Sequence, residues 1–249
     1  MLVIRDINVL YKQTVLGFAW AIIKPLLQVI IFTVIFGKLA GLEKQMQGNM
    51  PYIIFSFSAL VPWTYFATAL TNSTGSLITN SQFLTKVYFP RLIIPLTPIL
   101  SKLMDFFISL IALFVLLIVY RVHINYNILY LPLIILLMMI TTFSLGLWFS
   151  AMAIQFRDIQ QLMQFLVPIL MYAAPEIWPL SVLPHNRPVL TFIYGFYPMV
   201  GVVEGFRCSV TGAAMPWMFI LSGTISSLFL LVTGLLYFRA KEDYFADVV

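Results

Sequence analysis

The chain has 249 residues, of which 61% are hydrophobic and only 9% charged, with a mean hydropathy of +0.99. A soluble domain carries roughly 25% charged residues, so this chain cannot cover its apolar surface in water and needs lipid as its solvent. Its net charge of +5 is scattered singly along the sequence, which argues against a nucleic-acid partner and for topology signals in loops.

From the start of the chain, Ile4, Ile7, Tyr11, Val15 and Phe18 recur every three or four residues, with Arg5, Asp6, Asn8, Lys12 and Gln13 opposite. This pattern predicts an interfacial helix over 3–17, set off from the first long apolar stretch by Gly17 and Pro25. Arg5, Asp6 and Lys12 interrupt the opening apolar residues before a signal-peptide core is complete. A bilayer core of ~30 Å is crossed by about 20 mostly apolar residues. Stretches of that kind are predicted at 22–41, 52–79, 96–120, 128–154, 159–173 and 216–238, an all-α membrane protein with six transmembrane helices. Pro25 suits the first turn of the first one.

An even number of spans puts both ends on one side. Arg5, Lys12, Lys24, Lys86, Arg91, Lys102, Arg157, Arg239 and Lys241 then gather on that side, and fewer, Lys38, Lys44, Arg121, Arg187 and Arg207, on the other. The bias predicts cytoplasmic termini. Residues 174–215 then face outward. Pro175, Pro179, Pro184, Pro188 and Pro198 cut them into pieces too short to span, yet Ile177, Trp178, Leu180, Phe192, Tyr194, Phe196 and Tyr197 are too apolar for a solvated loop. Short re-entrant half-helices at the outer face satisfy both facts.

The residues that carry chemistry are few. His123 and His185 have no carboxylate at helical spacing, Cys208 is the single cysteine, and no cluster has metal-ligand spacing, so neither a catalytic constellation nor a metal site is expected. Every acid is expected near a span end or outside a span, which disfavours an ion-coupled carrier. No GxxxxGK[ST] string is present, so a P-loop ATPase is absent from this sequence and energy for transport would come from a partner.

The second predicted span is the informative one. Thr68, Thr71, Asn72, Gly75, Ser76 and Thr79 share one face, with Leu70 and Leu77 opposite. An uncharged polar stripe suits a hydrated conduit for a hydroxyl-rich substrate, and equally the close packing of membrane helices through small residues. Aromatic side chains near the outer ends, Phe32 and Phe36 in the first span and Tyr52, Phe55, Phe57, Trp63, Tyr65 and Phe66 in the second, suit an interfacial belt. Phe32, Phe36 and Trp63 are also candidates to stack on sugar rings.

Several strings carry a family resemblance. The opening Arg5-Asp6-Ile7 through Tyr11-Lys12-Gln13-Thr14-Val15-Leu16-Gly17 and Trp20, then Lys24-Pro25-Leu26, resembles the start of the membrane subunits of polysaccharide-exporting ABC transporters. The connection Asn80 to Arg91 is similar, as are Phe156-Arg157-Asp158-Ile159, Pro175-Glu176-Ile177-Trp178-Pro179, Tyr197-Pro198-Met199-Val200 and Glu204-Gly205-Phe206-Arg207. The resemblance spans the whole chain and implies an ABC-2 type permease half, closest to O-antigen or teichoic-acid exporters. It implies a homodimer in the bacterial inner membrane with two copies of a separate ABC ATPase, which holds the ATP and Mg, while this chain binds no cofactor. The implied cargo is a lipid-linked polysaccharide.

By the same resemblance, 82–91 is a cytoplasmic coupling helix docking on the ATPase. Phe83, Tyr88 and Phe89 would fill its cleft, and Lys86 and Arg91 would pair with acidic groups; Gln82, Arg5, Tyr11 and Lys12 belong to the same coupling surface. Leu16 and Gly17 match a gating turn. The channel and gate are expected from Phe32, Phe36, Trp63, Thr68, Asn72, Ser76, Thr79, Glu176 and Trp178, with 174–215 capping the exit. Ala173-Ala174-Pro175-Glu176 departs from the Ser-Pro-Val/Ile pattern of many relatives, and Glu176 adds a charge near that exit. The alternatives are an exporter of teichoic acid, lipid or drug of the same permease type, and a membrane-embedded transferase, which the missing His/Asp constellation disfavours.

Overall fold

The computed structural model describes residue 3 and residues 19–45, 50–80, 90–123, 125–156, 158–180 and 188–242. Among these there is no strand. Helix α1, Trp20–Phe32, widens into a π-helical stretch, Thr33–Leu39, and a 3-10 turn, Leu42–Gln45. Then come α2, Tyr52–Thr79; α3, Ile93–Ser101; α4, Leu103–Val119; α5, Leu131–Gln155; α6, Asp158–Ala173; α7, Pro188–Gly195; α8, Pro198–Thr211; and α9, Trp217–Lys241. The interfacial helix expected over 3–17 and most of the expected coupling helix lie outside the described residues.

Among the described residues, five stretches are long and apolar enough to cross a bilayer: Ile22–Leu39, Tyr52–Thr79, Ile93–Val119, Tyr126–Gln155 and Trp217–Lys241. The fifth of the six expected spans, α6, has 16 residues. At 1.5 Å per residue it is about 24 Å long, short of a ~30 Å core. Phe156 is extended just before it, and a tight turn in which the Glu176 amide donates to the Ala174 carbonyl at 2.8 Å comes after it. Pro25 is inside α1 rather than in its first turn, because the helix begins at Trp20.

The arrangement is that of a membrane protein turned outward. On α4, Phe107, Ile111, Val115 and Ile118 are exposed, and on α9, Leu221, Ile225, Phe229, Val232 and Leu236, each series repeating at three or four residues. These rows face lipid. The core is instead built around α2, which packs against α1, α3, α4, α5, α6 and α8. Small residues let these helices approach. A Cβ at Gly146 of α5 would stand 2.6 Å from the Ser73 hydroxyl of α2, and that hydroxyl donates to the Pro95 carbonyl of α3 at 2.9 Å. On the other side, Thr141 and Ser227 share a hydrogen bond of 2.8 Å between α5 and α9, and Trp148 stacks on Tyr237 at 4.6 Å.

The α3–α4 junction alters one expectation about charge. Asp105 falls near the middle of the 27-residue stretch Ile93–Val119, not near a span end. The helix starts earlier than its apolar composition suggests, because Pro95 and Pro98 are accommodated in α3. Lys102, at the junction, pairs with Asp105 at 3.0 Å and neutralises it.

Candidate functional site

Two groups of polar side chains stand out against the apolar background. The first is the one weakly covered face of α2. Thr68, Asn72 and Thr79 are exposed and Thr71 and Gly75 half-buried, whereas Leu70, Ser73, Thr74 and Leu77 on the other sides are buried. Every exposed α2 residue is therefore polar, the reverse of α4 and α9. Thr68 donates to the Thr64 carbonyl at 2.7 Å and Thr71 to Ala67 at 2.8 Å, so these hydroxyls are satisfied along their own helix. Gln160 of α6 lies over Gly75, where a Cβ would stand 3.1 Å from its amide nitrogen, and Gln161 and Gln164 are exposed on the same helix. A wall of hydroxyls and amides without formal charge results.

Not every predicted passage residue is on that wall. Ser76 is buried and donates to the Ser73 carbonyl at 2.7 Å, and Trp63 is buried against Phe66 with ring centres 5.2 Å apart. Phe32 is buried with its ring edge-on to Phe36 at 5.5 Å. Leu16, Gly17, Arg5, Tyr11, Lys12, Gln82, Phe83, Lys86, Tyr88 and Phe89 lie outside the described residues. Arg91 is described, and its guanidinium donates to the Glu242 carbonyl at the end of α9, where the helix dipole is negative.

The second group is a clasp at the Tyr52 end of α2. The segment 174–180 has little regular structure, so its carbonyls need partners from elsewhere. Two side chains from two elements hold carbonyls of the segment, Arg207 of α8 that of Pro175 at 2.6 Å and Tyr52 of α2 that of Ile177 at 2.8 Å, and Tyr194 of α7 donates to Ala173, the last residue of α6, at 2.8 Å. Tyr197 adds a bond to the Leu170 carbonyl at 3.2 Å, and Trp178 one to Tyr172 at 3.3 Å.

Arg207 is the centre of this clasp. Its remaining donors go to Glu204, one turn back on α8, at 2.6 Å and to the Phe55 carbonyl at 3.2 Å, and its carbon centre lies 3.7 Å from the Phe55 ring centre. Helix α8 is buried throughout Pro198–Val210 in spite of these charges. It gets that deep because Gly201 lets its backbone touch the Phe219 carbonyl of α9, where a Cβ would collide with that oxygen. Gly212, at φ 74°, then ends it in the left-handed conformation.

Glu176 is the exception in the clasp. It is 0% exposed, and neither carboxylate oxygen has a hydrogen-bond partner. Burial raises its pKa well above the ordinary carboxyl value, against the opposing pull of Arg207. Burial likewise pushes the Cys208 thiol up to about 12, so it stays a neutral, inert side chain.

The Glu204 and Arg207 pair carried a signal, an opposite-charge i,i+3 spacing inside an apolar run, beyond the outer-face half-helices expected over 174–215. The glutamines of α6 carried a signal too, three amides in five residues, that no single-helix pattern tied to α2.

Residues 1–211 match the family described as ABC-2 type transporter. The chain belongs to that family. Curated ABC-2 relatives extend the likeness over nearly the whole length. It is 28% identical to an O-antigen export system permease protein of Klebsiella pneumoniae, over 98% of this chain and 92% of the relative. It is 26% identical to an O-antigen export system permease protein of Myxococcus xanthus, over 83% and 77%, and 27% identical to the polysialic acid transport protein of Escherichia coli, over 97% and 92%. As an ABC-2 transporter family member with five apolar helices of spanning length among the described residues, it is a multi-pass membrane protein.

Proposed function

We propose that the chain is the channel-forming permease half of an ATP-driven exporter that moves lipid-linked polysaccharide from the cytoplasm to the outer face of a bacterial inner membrane. The observation that carries this reading is the uncharged polar face of α2, uncovered in a single chain whose exposed α4 and α9 faces are apolar. Side-chain amides facing hydrocarbon are unfavourable, so a face that carries Asn72 beside the α6 glutamines belongs against water or a hydrated cargo. Two copies of the chain would enclose it, with α1 and α6 of each at the junction. Sugar hydroxyls exchange hydrogen bonds with Thr68, Asn72 and the α6 glutamines at little net cost, which suits sliding better than tight binding.

The names of the O-antigen and polysialic acid relatives support a polysaccharide cargo. Two ATPase subunits supply the energy, acting through 82–91, and both termini are cytoplasmic. Arg91, tied to the end of α9, passes movement of that loop to the helix packed against α5. On this reading the clasp over 174–180 closes the outer mouth, with Phe32, Phe36 and Trp178 beside it. The test is reconstitution with the ATPase in vesicles: ATP-dependent transfer of a glycan-lipid is expected, and its absence with both subunits folded would refute the exporter.

A further inference from the structure

The clasp contains a titratable group that the transport reading leaves without a role. Glu176 is fully buried with both oxygens unpartnered, and the donors around it are already engaged. Arg207 of α8 gives its three nitrogens to Phe55, Glu204 and Pro175. From α2, Tyr52 is bonded to the Ile177 carbonyl; from α7, Tyr194 to Ala173; and Tyr197, just before α8, to Leu170. Arg207 is already paired with Glu204, so its pull on Glu176 does not offset the cost of burying an ionised carboxylate that has no hydrogen-bond donor. Such a charge is strongly unfavourable, and the carboxyl stays protonated there.

The same segment is the part of the clasp best placed to move. It has little regular structure, and two of its carbonyls, Pro175 and Ile177, are held by side chains of two separate elements, Arg207 of α8 and Tyr52 of α2, so lifting it releases those bonds together and wets Glu176.

We propose that Glu176 is a proton-operated latch: it is neutral while 174–180 is clasped, and it releases its proton to water as the segment lifts, becoming a carboxylate beside the freed Arg207. One proton per chain leaves on opening and returns on closing. This rests on the reading of 174–180 as the closure of the outer mouth. The sign comes from the raised value in the clasped state. Below the ordinary carboxyl value of about 4.3 both states are protonated and pH has no effect. Above it the open state ionises first, so opening becomes easier by up to about tenfold per pH unit until the clasped state also ionises.

Hydrogen–deuterium exchange of 174–180 in the purified chain tests this without any cargo. The exchange rate relative to Glu176→Gln, measured at each pH so that intrinsic exchange cancels, is expected to rise at least about threefold from about pH 5 to about pH 8. A flat ratio overturns the latch. Should Glu176→Gln not fold, Glu176→Leu also removes the titrating group and serves as the reference under the same criterion. In vesicles with the ATPase, export by the wild type is expected to quicken as the outer-side pH rises, and export by the variant to be flat. Equal pH profiles overturn the latch while leaving export standing. A wild type that exports nothing at any pH overturns the transport reading, and the exchange ratio then decides on Glu176 independently.

Discussion

Arg207 is 4% exposed and donates to a carboxylate and two backbone carbonyls from α2, α8 and the 174–180 segment. Replacing it with leucine leaves the Glu204 charge and those carbonyls without partners in a buried site. Loss of one partner of a buried pair costs about 3–5 kcal/mol. Arg207→Leu is therefore expected to lower or abolish the thermal transition of the chain in detergent, with Arg207→Lys intermediate, since an ammonium keeps the charge and loses the planar fork. Gly201→Ala is expected to cost about 1–3 kcal/mol in the same measurement, because the added methyl runs into backbone at Phe219. The sequence exposed the charge pair by its spacing. It gave no sign that Gly201 bears a contact, because the neighbour that makes it costly is 18 residues away on another helix.

At the scale of the element, α2 separates two readings that its sequence left equal. The helix has polar residues on two faces, and the fold uses them differently. Ser73 is buried against Gly146 and Pro95, which is packing; Thr68 and Asn72 are exposed. Ser73→Leu is expected to destabilise the chain by about 1–3 kcal/mol through overpacking. Thr68→Leu and Asn72→Leu are expected to change its unfolding free energy by less than about 0.5 kcal/mol, as for surface substitutions, while reducing glycan export severalfold. Thermal unfolding paired with export measures both. Equal damage to stability from Asn72→Leu and Ser73→Leu would return the whole stripe to packing. Spacing alone could not make this division, since helical periodicity fixes which residues share a face and says nothing of which face a neighbour covers.

At the scale of the molecule, the outward surface is of two kinds, apolar on α4 and α9 and polar on the open face of α2. Cysteines placed singly in a Cys208→Ser background can tell hydrated from lipid-facing positions. A water-soluble maleimide is expected to label position 72 and to spare positions 111 and 225 in membranes. Labelling at all three, or at none, would contradict a hydrated α2 face. Crosslinking through α1 and α6 would report the second copy that encloses it.

The sequence by itself determined that the chain lives in lipid, that it is helical, that it resembles ABC-2 permeases and where its apolar segments fall, because composition and periodicity are local properties. Apolar composition bounded α6 to within a residue but counted its 16 residues among the spans, and it missed Asp105 within a span, where Lys102 pairs with it. Tertiary structure alone decided which polar side chains face out and which are packed, and it alone drew Tyr52, Glu176, Tyr194, Glu204 and Arg207 into one clasp. Some of these residues are more than a hundred positions apart, and their meeting depends on long-range burial that removes water and turns isolated charges into a coupled group.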